Sequence, residues 1–162
     1  MIEALVLTLT GFLLLSLFAH RVFRFFGRVL PNAFIGVQIV LAIFLVLFHG
    51  SLTIGFLSTL TLIGLAAGIG LGAELLGTKF GVPFGRYQYL EKAGPRLVGD
   101  VPVFIPLMWA VMSYLSLGML WLICAVFPVI SESPFPFIAL GGTLLMAWDM
   151  VCLLYTSDAA DD

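Results

Sequence analysis

Three acidic side chains stand where a carboxyl group is costly to place or well placed to act. Glu74 lies in the last turn of a long apolar run, with Gly70, Ala67 and Ala66 on its helical face. Asp100 stands just before the apolar run that opens Val101-Pro102. Asp149 follows Trp148 and shares a helical face with Gly142, Leu145 and Met146. A carboxyl at membrane depth is expensive, turns toward the bundle or water, and marks a functional site by default. Stripped of water it holds its proton toward neutral pH, as a general acid must. Beside these groups runs TKFGVPFGRYQYLEKAGPRL, residues 78–97, with two Phe, two Tyr, three Gly and two Pro. Aromatic faces can steady a developing cation. Carboxyls and aromatics together suit acid-catalysed chemistry on an alkene, in an interfacial pocket for an apolar substrate.

Each carboxyl also has a plainer reading. Glu74 at a span end could pair with Lys79 or Arg86. Asp149 could be an interfacial residue beside a Trp of the aromatic belt. For Asp100 the plainer reading is the stronger: Asp caps a helix N-terminus and Pro suits a first turn, so an N-cap of the following span is expected. Glu91 reads as solvated or paired with Lys92 or Arg96, and Glu3 and Glu132 as surface groups. His20 and His49 have no metal-ligand spacing, so no metal site is expected. Cys124 reads as a small buried hydrophobe. No phosphate loop, nucleophile elbow or paired-cysteine motif occurs. GIGLGAELLG approaches a dinucleotide fingerprint, but it sits in an apolar span and follows no strand.

The elements that must position these groups are membrane helices. Of 162 residues, 62% are hydrophobic and 10% charged, against about a quarter charged in soluble domains. Apolar runs reach the roughly 20 residues needed to cross a bilayer, and backbone groups in lipid must pair within their own helix. Five spans are expected, at about Ala4–Ala19, Ala33–Phe48, Leu52–Leu76, Val101–Phe127 and Phe135–Val151. The fold class is all-α, a polytopic transmembrane helical bundle. The N-terminus has no basic region before its apolar run and does not read as a cleavable signal. Gly64, Gly68 and Gly72 repeat at four-residue spacing, the pattern for close helix approach, and packing is the expected role.

All seven Lys and Arg follow spans one and three. The positive-inside rule then places the loop at 77–100 in the cytoplasm and the N-terminus outside. Near-zero net charge gives no sign of nucleic acid. The final segment, CLLYTSDAADD, changes character abruptly and resembles the translation of a sequencing adapter. Residues 1–151 are then the N-terminal part of a longer integral membrane domain, and residues 152–162 are not native. Removing Asp158, Asp161 and Asp162 moves the formal charge from −2 to +1.

Four motifs occur in order: E-L-L-G-T-K-F-G-V-P-F-G-R-Y-Q-Y (Glu74 to Tyr89), G-P (Gly94, Pro95), V-P-V-F-I-P-L-M-W (Val101 to Trp109) and W-D (Trp148, Asp149). Together they resemble the membrane carotenoid biosynthesis protein family, of the bisanhydrobacterioruberin hydratase and γ-carotene 1′-hydroxylase type. The resemblance covers residues 74–149; the earlier spans agree in hydropathy alone. It implies a cofactor-independent hydration. An acid protonates the terminal alkene of an acyclic carotenoid, lycopene-like or a C50 precursor, and water captures the tertiary cation. On this footing Glu74 and Asp149 are the acid/base candidates, with Asp100 third. Phe84, Tyr87, Tyr89, Trp109 and Trp148 would line the pocket, and the 78–97 segment would close over the substrate end. Membrane lipid is the surroundings, and the expected location is a prokaryotic cytoplasmic membrane. In the family a second acidic residue and further spans follow W-D. Here the adapter-like string replaces them, and a site completed by those spans would leave this fragment inactive. Two other classes remain open: a transporter subunit, which calls for midplane carboxyls and an aqueous path, and a non-catalytic scaffold, which would tolerate loss of Glu74 and Asp149. Isoprenoid transfer is disfavoured because no Asp-rich diphosphate-binding motif occurs.

Overall fold

The computed structural model describes residues 32–82, 87–89 and 94–157, with positions 10, 11, 15, 18 and 19. Most of the first expected span lies outside the described residues, as do His20, Arg21, Arg24 and Arg28. Four long helices follow: α1 (Asn32–Thr53), α2 (Phe56–Phe80), α3 (Phe104–Val126) and α4 (Pro134–Ser157). A short 3-10 turn, Pro128–Ile130, precedes α4. Among the described residues three helices, within α1, α2 and α3, are long and apolar enough to cross a membrane. At about 1.5 Å rise per residue, the 25 residues of α2 exceed the ~30 Å hydrocarbon core. Their outward faces are greasy: Val37, Val40 and Phe44 on α1, and Leu57, Leu65 and Ile69 on α2, are exposed. Lipid tails accept such side chains without penalty. The chain is an all-α, membrane-helical protein.

It divides into two compact units, Met1–Val111 and Met112–Asp162. In the first, α1 and α2 pack against each other across a tight turn. Gly55 has φ +90, outside the range of most L residues. The Thr59 hydroxyl and the Thr59 N–H both donate to the Gly55 carbonyl, at 2.8 Å and 3.0 Å. This turn moves the expected boundary between spans two and three. Helix α1 continues through Ser51 and Thr53, whose hydroxyls donate to the Leu47 and His49 carbonyls. Hydroxyls satisfied by their own helix need not end it. Helix α2 stops where Gly81 turns left-handed at φ +73 and its N–H donates to the Gly77 carbonyl.

The start of the fourth expected span differs more. Val101-Pro102 is not helical. It forms β2 (Val101–Pro102), antiparallel to β1 (Arg96–Val98), and the helix begins only at Phe104. Gly99 and Asp100 make the two-residue turn, with Gly99 at φ +58. A type II′ hairpin asks its first central residue for that sign of φ, which glycine supplies cheaply. Asp100 is therefore a turn residue, and the N-cap expected of it is not formed. The hairpin is anchored: Val101 is 0% exposed, Pro102 is fully buried, and β2 packs on α2. In the second unit, Leu120 is buried and packs where Gly141 leaves room; a Cβ there would lie 3.3 Å from Leu120 Cδ2.

Candidate functional site

The site is built on one face of α2. Gly70, Glu74 and Gly77 sit four and three residues apart, so all three share that face, and all three are buried. Trp109 from α3 lies over Gly70. A Cβ on Gly70 would fall 2.3 Å from Trp109 Cγ. Tyr87 lies over Gly77, where a Cβ would fall 2.6 Å from its hydroxyl oxygen. The two glycines thus clear the helix surface on either side of Glu74, and aromatic rings occupy the clearance.

Those rings reach the carboxyl. Tyr87 Oη and Tyr89 Oη donate to Glu74 Oε2 at 2.5 Å and 2.6 Å. Trp109 Nε1 donates to Oε1 at 3.1 Å. The tyrosine rings meet edge to face, with centroids 5.8 Å apart, a favourable aromatic geometry. Glu74 is 8% exposed. A carboxylate offers about four lone-pair positions and an indole N–H can only donate. Among the described residues three donors occupy three of those positions, two on Oε2 and one on Oε1. The Trp109 indole N–H, which can only donate, makes Glu74 Oε1 an acceptor, and the two phenol hydroxyls meet on Oε2. Its described partners are neutral aromatics; the cation Lys79 is exposed, and Arg86 lies outside the described residues. Burial first, then the adjacent Glu74 carboxyl, holds the Tyr89 phenol well above its ordinary range, so it stays a donor.

The loop delivers both tyrosines from one short extended stretch. Alternate residues of extended chain point the same way; Tyr87 and Tyr89 are half-buried and Gln88 is exposed between them. Arg96 holds this stretch to the hairpin. Its Nη2 donates to the Tyr89 carbonyl at 2.8 Å and its Nη1 to the Asp100 carbonyl at 2.6 Å. Asp100 itself is exposed in the turn and takes part through its main chain. Phe84, Glu91 and Lys92 lie outside the described residues. Trp148 and Asp149 are half-buried on α4, in the second unit. Among the described residues, no group of three or more His, Cys, Asp and Glu gathers that could hold a metal.

Sequence reasoning found Glu74, Tyr87, Tyr89 and Trp109 but not Gly77 or the clasp by Arg96. Packing was expected at Gly64, Gly68 and Gly72, whereas the close approaches seen among the described residues of this helix are at Gly70 and Gly77. At Gly64, Gly68 and Gly72 no described residue lies within 4 Å of an added Cβ. Residues two apart on a helix point about 200° apart, so Gly68 and Gly72 look away from the face of Gly70. The usable signal was G-x-x-x-E-x-x-G, small residues placed to admit large ones around a carboxyl.

Fold and site define an integral membrane protein with a buried carboxyl held by aromatic donors. A family model described as carotenoid biosynthesis protein matches residues 34–153, which is 120 of the 162 residues and includes all three candidate carboxyls. The chain belongs to the carotenoid biosynthesis protein family. No curated protein and no solved structure matches it.

Proposed function

We propose that this protein is a carotenoid hydratase, adding water to the terminal carbon–carbon double bond of an acyclic carotenoid. Family membership supplies the carotenoid context. The observation that carries the reaction class is the Glu74 carboxyl, buried in a membrane helix, with aromatic donors around it and one acceptor position on Oε1 that no described residue takes up.

In the proposed reaction the alkene π pair takes a proton from an acid, forming a C–H bond and leaving a tertiary cation. A water oxygen forms the C–O bond. The resulting oxonium loses a proton, and the product is a tertiary alcohol. Glu74, with its free lone pair on Oε1, fits the step that holds water and removes its proton. The rings of Tyr87, Tyr89 and Trp109 can face the cation. A hydration also needs a proton donor. Asp149, the other acid/base candidate, is proposed for that role. Asp100, exposed on the hairpin turn, is dropped from the chemistry. The basic loop side is proposed to be cytoplasmic, from the distribution of Lys and Arg.

The test is to express the protein in bacterial membranes that accumulate lycopene and to analyse the pigments by mass spectrometry. A product heavier by one water, lost in Glu74→Gln and Asp149→Asn, is the expected result. Absence of that product from a well-expressed protein, across several acyclic carotenoids, would discard the hydratase.

A further inference from the structure

The aromatic cage around Glu74 depends on a loop that must come back to the helix it left. Tyr87 and Tyr89 are 13 and 15 residues beyond Glu74 in sequence, and both donate to the same carboxylate oxygen. Phenols hold such a position only if the chain that carries them is itself held. The hairpin is a fixed base for this. Val101 and Pro102 are buried, the Val103 N–H donates to the Pro95 carbonyl at 2.9 Å, and Gly99 rests over Leu75 and Lys79 of α2.

We infer that Arg96 is a positioning residue: its guanidinium fastens the Tyr87–Tyr89 stretch to the hairpin and so holds both phenols on Glu74. One planar group donates to main-chain carbonyls on both sides, Tyr89 through Nη2 and Asp100 through Nη1. A rigid fork of charged donors suits that task, and the single ammonium of lysine does not reproduce it. A basic residue kept only for the positive-inside rule would aim its donors at headgroups and water. Arg96, although exposed, spends two of them on this loop's own carbonyls. Fixing the Tyr89 carbonyl fixes the backbone from which the Tyr89 ring descends, and Tyr87 follows because it lies two residues back on the same side. The effect on turnover rests on the hydratase reading; the effect on the phenols does not.

The experiment therefore reads both, using the full chain in detergent micelles and in carotenoid-bearing membranes. Alkaline titration followed by phenolate absorbance reports tyrosine ionisation, with Tyr89→Phe assigning the resistant group. In the unsubstituted protein one phenol should resist ionisation beyond the ordinary range, because burial and Glu74 push Tyr89 up. In Arg96→Ala, with helical circular dichroism unchanged, that phenol should titrate in the ordinary range. Hydration turnover should fall roughly tenfold, the factor that corresponds to one hydrogen bond to a charged group. Arg96→Lys should fall between the two proteins. A native phenol titration in a folded Arg96→Ala overturns the inference, even if turnover drops. Should Arg96→Ala lose its helical signal, Arg96→Lys decides, and an unshifted titration there overturns it equally. Released phenols with no hydrated product from any protein would uphold the clasp and sink the hydratase.

Discussion

Gly70 and Gly72 stand two residues apart on one helix, yet alanine should act on them with opposite sign. At Gly70 the new Cβ would lie 2.3 Å from Trp109 Cγ and 2.7 Å from Trp109 Cβ. Carbon atoms rest at about 3.5–4 Å, so the tryptophan must retreat by about 1 Å. Its Cβ is the root of the side chain, so no change of rotamer removes that contact; the backbone has to move. The bond from Trp109 Nε1 to Glu74 Oε1 is already 3.1 Å long, and a retreat of that size breaks it. Crowding costs about 1–3 kcal/mol and a bond to a charged acceptor about 1.5–3 kcal/mol. Better helix propensity returns about 1 kcal/mol. The net loss expected for Gly70→Ala is about 1.5–5 kcal/mol. At Gly72 no described residue lies within 4 Å of an added Cβ, so the propensity gain is what the described surroundings leave, and Gly72→Ala should stabilise by up to about 1 kcal/mol. Denaturant unfolding in detergent, followed by helical circular dichroism with tryptophan fluorescence as a second probe, gives both numbers. Equal stability of the two variants, or a more stable Gly70→Ala, would refute the clearance role of Gly70.

Other substitutions test the rest of the site. Glu74→Gln replaces an acceptor with a group that is half donor, facing three donors, and should lower hydration by about 10²–10⁴-fold, as loss of a general base does; pigment mass spectrometry measures it. The raised Tyr89 phenol sets a sign for alkaline stability: the folded state binds that proton more tightly than the unfolded chain. Its contribution is complete below the unfolded pKa of about 10 and is lost as pH climbs above it. Unfolding curves from pH 9 upward should therefore fall less steeply in Tyr89→Phe than in the unsubstituted protein. Gly99→Ala forces a Cβ into a φ +58 turn and should cost about 1–2 kcal/mol, read in the same unfolding assay.

The bilayer made α1, α2 and α3 legible, because length and apolarity alone demand helices there. Glu74 was legible for the same reason in reverse, as a group the membrane penalises. The hairpin was not. Val101-Pro102-Val103-Phe104 reads as the opening of a span, and the positive φ that makes Gly99 a turn leaves no trace in hydropathy. The partners of Glu74 were visible as residue types but not as partners. Tyr87 and Tyr89 arrive through a loop, and Trp109 comes from 35 residues away. No periodicity connects such positions. Gly64, Gly68 and Gly72 show the opposite case, a clean small-residue pattern with no described residue within 4 Å of an added Cβ.

The choice of neutral donors bears on what the site can do. A carboxyl in a membrane helix is most simply stabilised by a cation, and Lys79 is only five residues away in sequence. A lysine partner would cancel the charge on Glu74 and leave no field for a reacting cation to feel. Two phenols and an indole satisfy the oxygens by hydrogen bonds alone, so whatever charge the carboxyl carries stays uncancelled by them. In a medium of low dielectric that charge acts strongly on a nearby carbocation. The proposed hydration of an alkene calls for such a pairing of a carboxyl with π faces for the cation. On that logic the glycines at 70 and 77 matter to the chemistry as much as the carboxyl between them, since without their clearance neither Trp109 nor Tyr87 could reach Glu74.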